Sequence, residues 1–162
     1  MAAVDYFLKL KGIDGESQDH AHKNEIQLES WSFGETNSGT MAYGGGGGAG
    51  KVQMQDFHFV MKHNKASPKL FLACATGEHI PEATLVARKA GKTPMEFLKV
   101  KFSDCLVSSY QTGGSGDADV IPMDQIALNF AKIEIEYKEQ KADGSPGAAV
   151  PAGYNLKENK AV

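Results

Sequence analysis

The chain has 162 residues, 41% of them hydrophobic and 23% charged, and a formal net charge of −3 at pH 7. That size suits one domain with a sizeable core, and no apolar run approaches the roughly 20 residues that cross a bilayer as a helix. Weak negative charge without a lysine or arginine stripe sets nucleic acid aside as the main partner, because neutralising phosphates needs clustered cations.

The opening Met1-Ala2-Ala3-Val4-Asp5-Tyr6 has no basic segment, and Lys9 and Lys11 interrupt the apolar stretch that follows, so no secretory signal is expected. A first strand is predicted over residues 6–11, closed by Gly12, Asp14 and Gly15. A polar loop follows over residues 16–23. A second strand over 25–33 starts with Ile26 and Leu28 on one face, but its next bulky residues, Trp31 and Phe33, fall in the opposite phase. The third strand repeats this: Val52 and Met54 are even, whereas Phe57, Phe59 and Met61 are odd. The last long strand does so again, with Ile126, Leu128 and Phe130 followed by Ile133, Ile135 and Tyr137.

A one-residue slip turns the whole apolar set to the other face. A β-bulge inserts the extra residue and bends the strand, letting it serve two parts of a curved sheet. The other reading is that both faces are partly buried, for example by subunit contacts. Residues 67–77 break the β pattern and predict a short helix, with Ser67 as N-cap, Pro68 in the first turn and Gly77 as the left-handed stop. Its apolar stripe is read as Leu70, Phe71 and Cys74. Further strands are predicted over 82–89, 96–102 and 106–111. Residues 138–162 read as a mobile linker and a C-terminal edge segment carrying Tyr154 and Leu156. The whole predicts a mainly β fold: a closed or nearly closed β-barrel of two curved sheets with one short flanking α-helix, as a single domain over residues 1–162.

Candidate chemistry is sparse. The run Gly44-Gly45-Gly46-Gly47-Gly48-Ala49-Gly50-Lys51 satisfies G-x-x-x-x-G-K, but Val52 stands where a hydroxyl should hold Mg²⁺. The following residues have a strand period, not that of a helix that would face its N–H groups to an anion. With Met41 and Tyr43 as apolar flanks, the run reads as a docking loop rather than a nucleotide site; ordering so much glycine costs entropy that a function must offset. His20 and His22 beside Asp19 lack a third ligand, so they read as a solvated loop, and His58, His63 and His79 are scattered. Asp104 and Asp124 are single carboxylates without an evident partner, and Ser108-Ser109 lies on a strand. No G-x-S-x-G or H-E-x-x-H pattern occurs. Neither a catalytic residue, a metal site nor a cofactor is expected. Cys74 and Cys105, each among apolar neighbours, read as buried reduced thiols of a chain folded in a reducing cytoplasm.

Several segments, in order, carry a resemblance over nearly the whole chain. They are Asp5-Tyr6-Phe7-Leu8-Lys9-Leu10 with Gly15-Glu16-Ser17, Trp31-Ser32-Phe33-Gly34, the glycine run to Lys51, and the helix with Gly77-Glu78-His79-Ile80-Pro81. Then come Val107-Ser108-Ser109-Tyr110-Gln111-Thr112-Gly113-Gly114-Ser115-Gly116, Leu128-Asn129-Phe130-Ala131-Lys132-Ile133 and Gly153-Tyr154-Asn155. Together they resemble the haemolysin-coregulated protein (Hcp) family, the inner-tube protein of the bacterial type VI secretion system. Tyr154 stands where relatives often carry tryptophan.

The resemblance implies a homohexameric ring. Rings stack into a tube that a contractile sheath expels behind a spike of the valine-glycine repeat family, and small effector proteins ride in the lumen. It implies a chain that is cytoplasmic before firing and then released, without a signal peptide, outside the cell or into target cells. It assigns ring stacking to the loop over 34–50, with contacts from Met41, Tyr43, Gly44, Gly45, Gly46, Gly47 and Gly48 and with Lys51 at its end. It places Ser32 and Ser115 at the lumen wall. A monomeric β-barrel holding a small apolar ligand is the alternative from another class.

Overall fold

The computed structural model describes residues 3–39, 51–117 and 121–162. Met41, Tyr43 and Gly44 to Gly48 lie outside them. The elements are β1 (Val4–Leu10), β2 (Ile26–Leu28), β3 (Ser30–Ser32), β4 (Glu35–Thr36), β5 (Gln53–Met54), β6 (Phe57–Lys62), α1 (Ser67–Thr76), β7 (His79–Lys89), β8 (Met95–Gly113), β9 (Met123–Gln140), β10 (Pro146–Asn155) and β11 (Lys160–Ala161).

Two long strands organise the fold. All the pairings are antiparallel. β9 pairs with β8 from Tyr137–Leu98 to Met123–Gly113. On its other side it changes partner: residues 123–128 pair with β6, and residues 132–140 with β10. β7 joins β8 to β1, and β1 takes β2. The chain then steps through Glu29 into β3, which pairs with β6. The circuit β1, β2–β3, β6, β9, β8, β7 thus returns to β1 through one corner, and the result is a nearly closed barrel of two curved sheets.

The phase slips have two origins. After Leu28 and after Met54 they are real breaks. β2 leaves β1, with the Glu29 N–H bonding Val60 O at 2.8 Å, and β3 joins β6. β5 belongs to a separate two-stranded ladder with β4. The slip between Phe130 and Ile133 is a bend without an inserted residue. Register runs unshifted through it, from Ile80–Cys105 to Glu82–Ser103 and from Cys105–Phe130 to Ser103–Lys132. Three neighbouring strands invert together along the line Pro81, Asp104, Ala131. Asp104 takes φ 54 there, a conformation that aspartate tolerates better than most side chains. The bulge proper lies further on, where register shifts between Val107 and Ser109.

Because β8 and β9 each cross both sheets, their inward residues meet in one core. Phe102 is fully buried, with ring centroids 4.6 Å from Phe57, 4.9 Å from Phe130 and 6.0 Å from Phe33. Leu8, Ile26, Met61, Leu85 and Leu128 surround this cluster. Burial of each such side chain contributes about 1.5–3 kcal/mol.

α1 packs against β8 and ends at Gly77 with φ 69. Ser67 is not its cap. The N-cap is Ala66, without a side-chain bond; the Ser67 hydroxyl accepts the Asn64 N–H at 3.0 Å and donates to Asp124 Oδ2 at 2.5 Å. The buried residues are Ser67, Leu70 and Ala73, whereas Phe71 faces out and Cys74 is half-buried. Cys105 is buried, which pushes its thiol up to about 12. The tail carries more structure than expected: residues 138–140 continue β9, 141–145 turn, and β10 and β11 form an edge hairpin.

Candidate functional site

The second sheet, in the order β3, β6, β9 and the end of β8, turns a concave polar face outward. Strand alternation sends Phe57, Phe59, Ile126 and Leu128 into the core; their neighbours must point out. Two rows cross the four strands. One is Ser32, His58, Ala127, Ser109; the other is Ser30, Val60, Gln125, Gln111. They line a cleft of about 470 Å³. Its rims are small hydroxyl and amide side chains without a carboxylate, lysine or arginine, suited to hydrogen bonding without charge selection.

At one end of this face Asp56 receives Ser108 Oγ–H at 2.6 Å and Asn129 Nδ2–H at 3.0 Å. Two strands thereby hold the chain just after the β4–β5 ladder. The Gln55 N–H bonds Gly34 O at 2.8 Å, so the base of the 34–50 segment is pinned to the barrel. Lys51 is exposed two residues before β5.

Ser32 lies in this concave face. Ser115 does not line the cleft; it is exposed in the turn after β8, where its Oγ accepts the Asp117 N–H at 3.4 Å. Spacing along the chain does not group His58, Ser109, Gln111 and Gln125 with Ser32; only the pairing of four separated strands brings them together.

Two clusters overturn expectations made from neighbouring residues alone. Asp124 is fully buried and has partners: Ser67 Oγ at 2.5 Å, His63 Nδ1 at 3.0 Å and Tyr110 Oη at 3.3 Å. Burial pushes its carboxyl up, but hydrogen bonds from Ser67, Thr112 and His63 outweigh that and hold it below the usual carboxylate value. Burial, then the adjacent Asp124 charge, pushes the Tyr110 hydroxyl up. Ser67 and His63 both bond the carboxylate and not each other, so the cluster holds α1 to β9 and is not a nucleophile relay. Asp104 likewise has partners, His79 Nε2 at 3.1 Å and Lys157 Nζ at 3.7 Å.

His22 is buried, not solvated. Its Nε2 lies 2.7 Å from Glu96 Oε1 and its Nδ1 3.1 Å from the Glu25 carboxylate. No group of three metal-ligating side chains converges among the described residues. No helix there is long and apolar enough to cross a membrane.

A packed, nearly closed barrel whose concave face carries hydroxyl, amide and imidazole side chains defines a mainly β protein with one extended strand-built surface. Comparison with known proteins gives this class its family. The family model described as "Type VI secretion system effector, Hcp" matches residues 7–137. Protein hcp1 of Pseudomonas aeruginosa is 45% identical over 159 residues, covering 97% of this chain and 98% of that protein. The crystal structure of Hcp1 from Salmonella typhimurium superposes with a TM-score of 0.82 at 37% identity, covering 99% of this chain and 100% of that one. A structure described as a type six secretion system protein reaches a TM-score of 0.92 at 32% identity with the same coverage. The chain belongs to the Hcp family of type VI secretion system proteins.

Proposed function

We propose that six copies of this chain close into a ring with the β3–β6–β9–β8 face turned to the channel. The rings stack into a tube that a contractile sheath drives out behind a spike, and small effector proteins are carried against that face. The observation that carries this reading is the concave face itself. It carries hydroxyl, amide and imidazole side chains but no carboxylate, lysine or arginine along either row, and ends on either side in strand edges, β3 and the stretch of β8 beyond Leu106, that pair with no further strand among the described residues. Open edges invite pairing with another chain, and a closed ring removes them. The ligand-binding monomer is less favoured, because Phe57, Phe59, Phe102 and Leu128 fill the barrel interior. The nucleotide reading fails on the described side of the run, where Lys51 leads into strand β5 and not into a helix.

Ser32 is the cargo contact in this reading. Ser32→Gln places a longer side chain in the cleft and is expected to lower co-purified effector at least severalfold, with rings still visible by negative-stain microscopy. Undiminished effector in intact rings would remove Ser32 from the cargo surface.

Stacking is assigned to the 34–50 segment, with Met41, Tyr43, Gly44 to Gly48 and Lys51 as its contacts. The bonds that hold Gly34, Gln55 and Asp56 at the root of the segment support this assignment. Deleting Gly44 to Gly48 is expected to leave single rings but shorten tubes and reduce secretion. Tubes of parental length and normal secretion from the deletion would exclude the segment from stacking.

A further inference from the structure

α1 is apolar on two sides. Its inner stripe, Ser67, Leu70 and Ala73, is buried in the barrel. Its outer side carries Pro68, Phe71, Leu72 and Ala75, with Lys69 and Thr76 as the polar members, all exposed; Phe71 is 60% and Leu72 56% exposed. A helix against water keeps one side polar, whereas a helix apolar all round belongs between two packed layers. A single chain supplies one layer.

What adjoins this outer side indicates the second. Phe71 meets the edge of Tyr110, with centroids 6.1 Å apart and planes at 74°. Tyr110 lies on β8 beyond Leu106, the residue at which β7 stops pairing with β8. From there on, β8 has a strand on its β9 side only among the described residues. The helix thus stands as an apolar shoulder beside an open row of backbone donors and acceptors. At the opposite end of the same sheet β3 also pairs on one side only among the described residues, so an identical chain brings a matching edge to this one.

We propose that Phe71 and Leu72 anchor α1 to a second copy of this chain, packed beside the open edge of β8. The inference rests on the ring reading above and names the side-chain anchor of its subunit contact. A few side chains in well-packed, fully desolvated positions carry most of an interface's binding energy, and burying a Phe or Leu side chain adds to it.

The test compares the full chain with the double variant Phe71→Ser/Leu72→Ser. Val150→Ser serves as control, because it removes a side chain 66% exposed on β10. Sedimentation velocity over a concentration series reads assembly, and circular dichroism reads folding. The parent and Val150→Ser are expected to assemble alike. The double variant is expected to stay folded, with subunit association weakened at least roughly tenfold. Leu72→Gln, a good helix former at an exposed position, is expected to move in the same direction and keeps the test open if the double variant does not fold. Assembly of folded Phe71 and Leu72 variants at the parental concentration overturns the proposal, whatever other partner they lose, and leaves the ring reading standing. A parent that stays monomeric at every concentration overturns the ring reading instead, and the anchor with it.

Discussion

Asp124→Ala is expected to cost about 3 kcal/mol of stability, because it strands buried hydrogen-bonding groups and loses a charged partner. For a chain of this size that corresponds to a fall in melting temperature of roughly 6–12 °C. The Ser67 hydroxyl and the Tyr110 hydroxyl would both face a hole where the carboxylate stood, and His63 would lose its acceptor. The damage should centre on α1, which Ser67 ties to β9. Asp124→Asn keeps an acceptor for Ser67 and is expected to lose about half as much.

Acid provides an independent check. The carboxyl is held below its ordinary value in the folded chain, so its contribution is complete above the unfolded value of about 3.9 and is lost as pH falls through the lower folded value. Urea midpoints of the parent and Asp124→Asn should therefore differ at pH 7 and draw together as pH falls below the ordinary carboxylate value. A gap of constant size would mean that ionisation of Asp124 contributes nothing.

The same cluster shows where a sequence is legible and where it is not. Phase inversions such as Leu28 to Trp31 and Phe130 to Ile133 expose strands that serve two sheets, because side-chain direction follows from strand period alone. Whether an inversion is a bulge or a shared bend depends on the neighbouring strands. Pro81, Asp104 and Ala131 sit on three separate strands and turn over together, which no single strand discloses. Helix α1 was legible from Pro68 and Gly77, which act on their own backbone. Ser67 looks like a cap from its neighbours, but Asp124, 57 residues away, takes its hydroxyl instead. His22 read as solvated because Glu96, which covers it, lies 74 residues on. Ser32 was placed by family resemblance. Its companions on the concave face carry ordinary polar side chains, and only strand order makes them a surface.

The second large effect is expected at Arg88. Phe7 points away from the main core, yet it is 2% exposed, because the segment over residues 14–25 folds across it. The His22 ring stacks on Phe7 at 4.4 Å, and the Arg88 guanidinium lies 4.9 Å from its centroid. That guanidinium also grips Asp19 with two bonds, Nη1 to Oδ1 at 2.9 Å and Nη2 to Oδ2 at 2.6 Å, and reaches Asp5 at 3.3 Å. Gly15 permits the return of the segment: a Cβ there would lie 2.6 Å from the Glu25 carbonyl oxygen. Arg88→Ala removes the paired bonds and the cation over the ring and is expected to cost about 2 kcal/mol. Lysine cannot reproduce the fork, so Arg88→Lys should recover little of it. Hydrogen exchange should quicken at the backbone amides of residues 17–25 and not in the core of β9. Chiefly through its bonds from Arg88, the Asp19 carboxyl is held down to about 2. Its contribution is therefore present above the unfolded value and fades as pH falls toward about 2. Arg88→Ala should flatten that stretch of the stability curve, and exchange rates at 17–25 equal to those of the parent would show that the segment is held by His22 and its two glutamates instead.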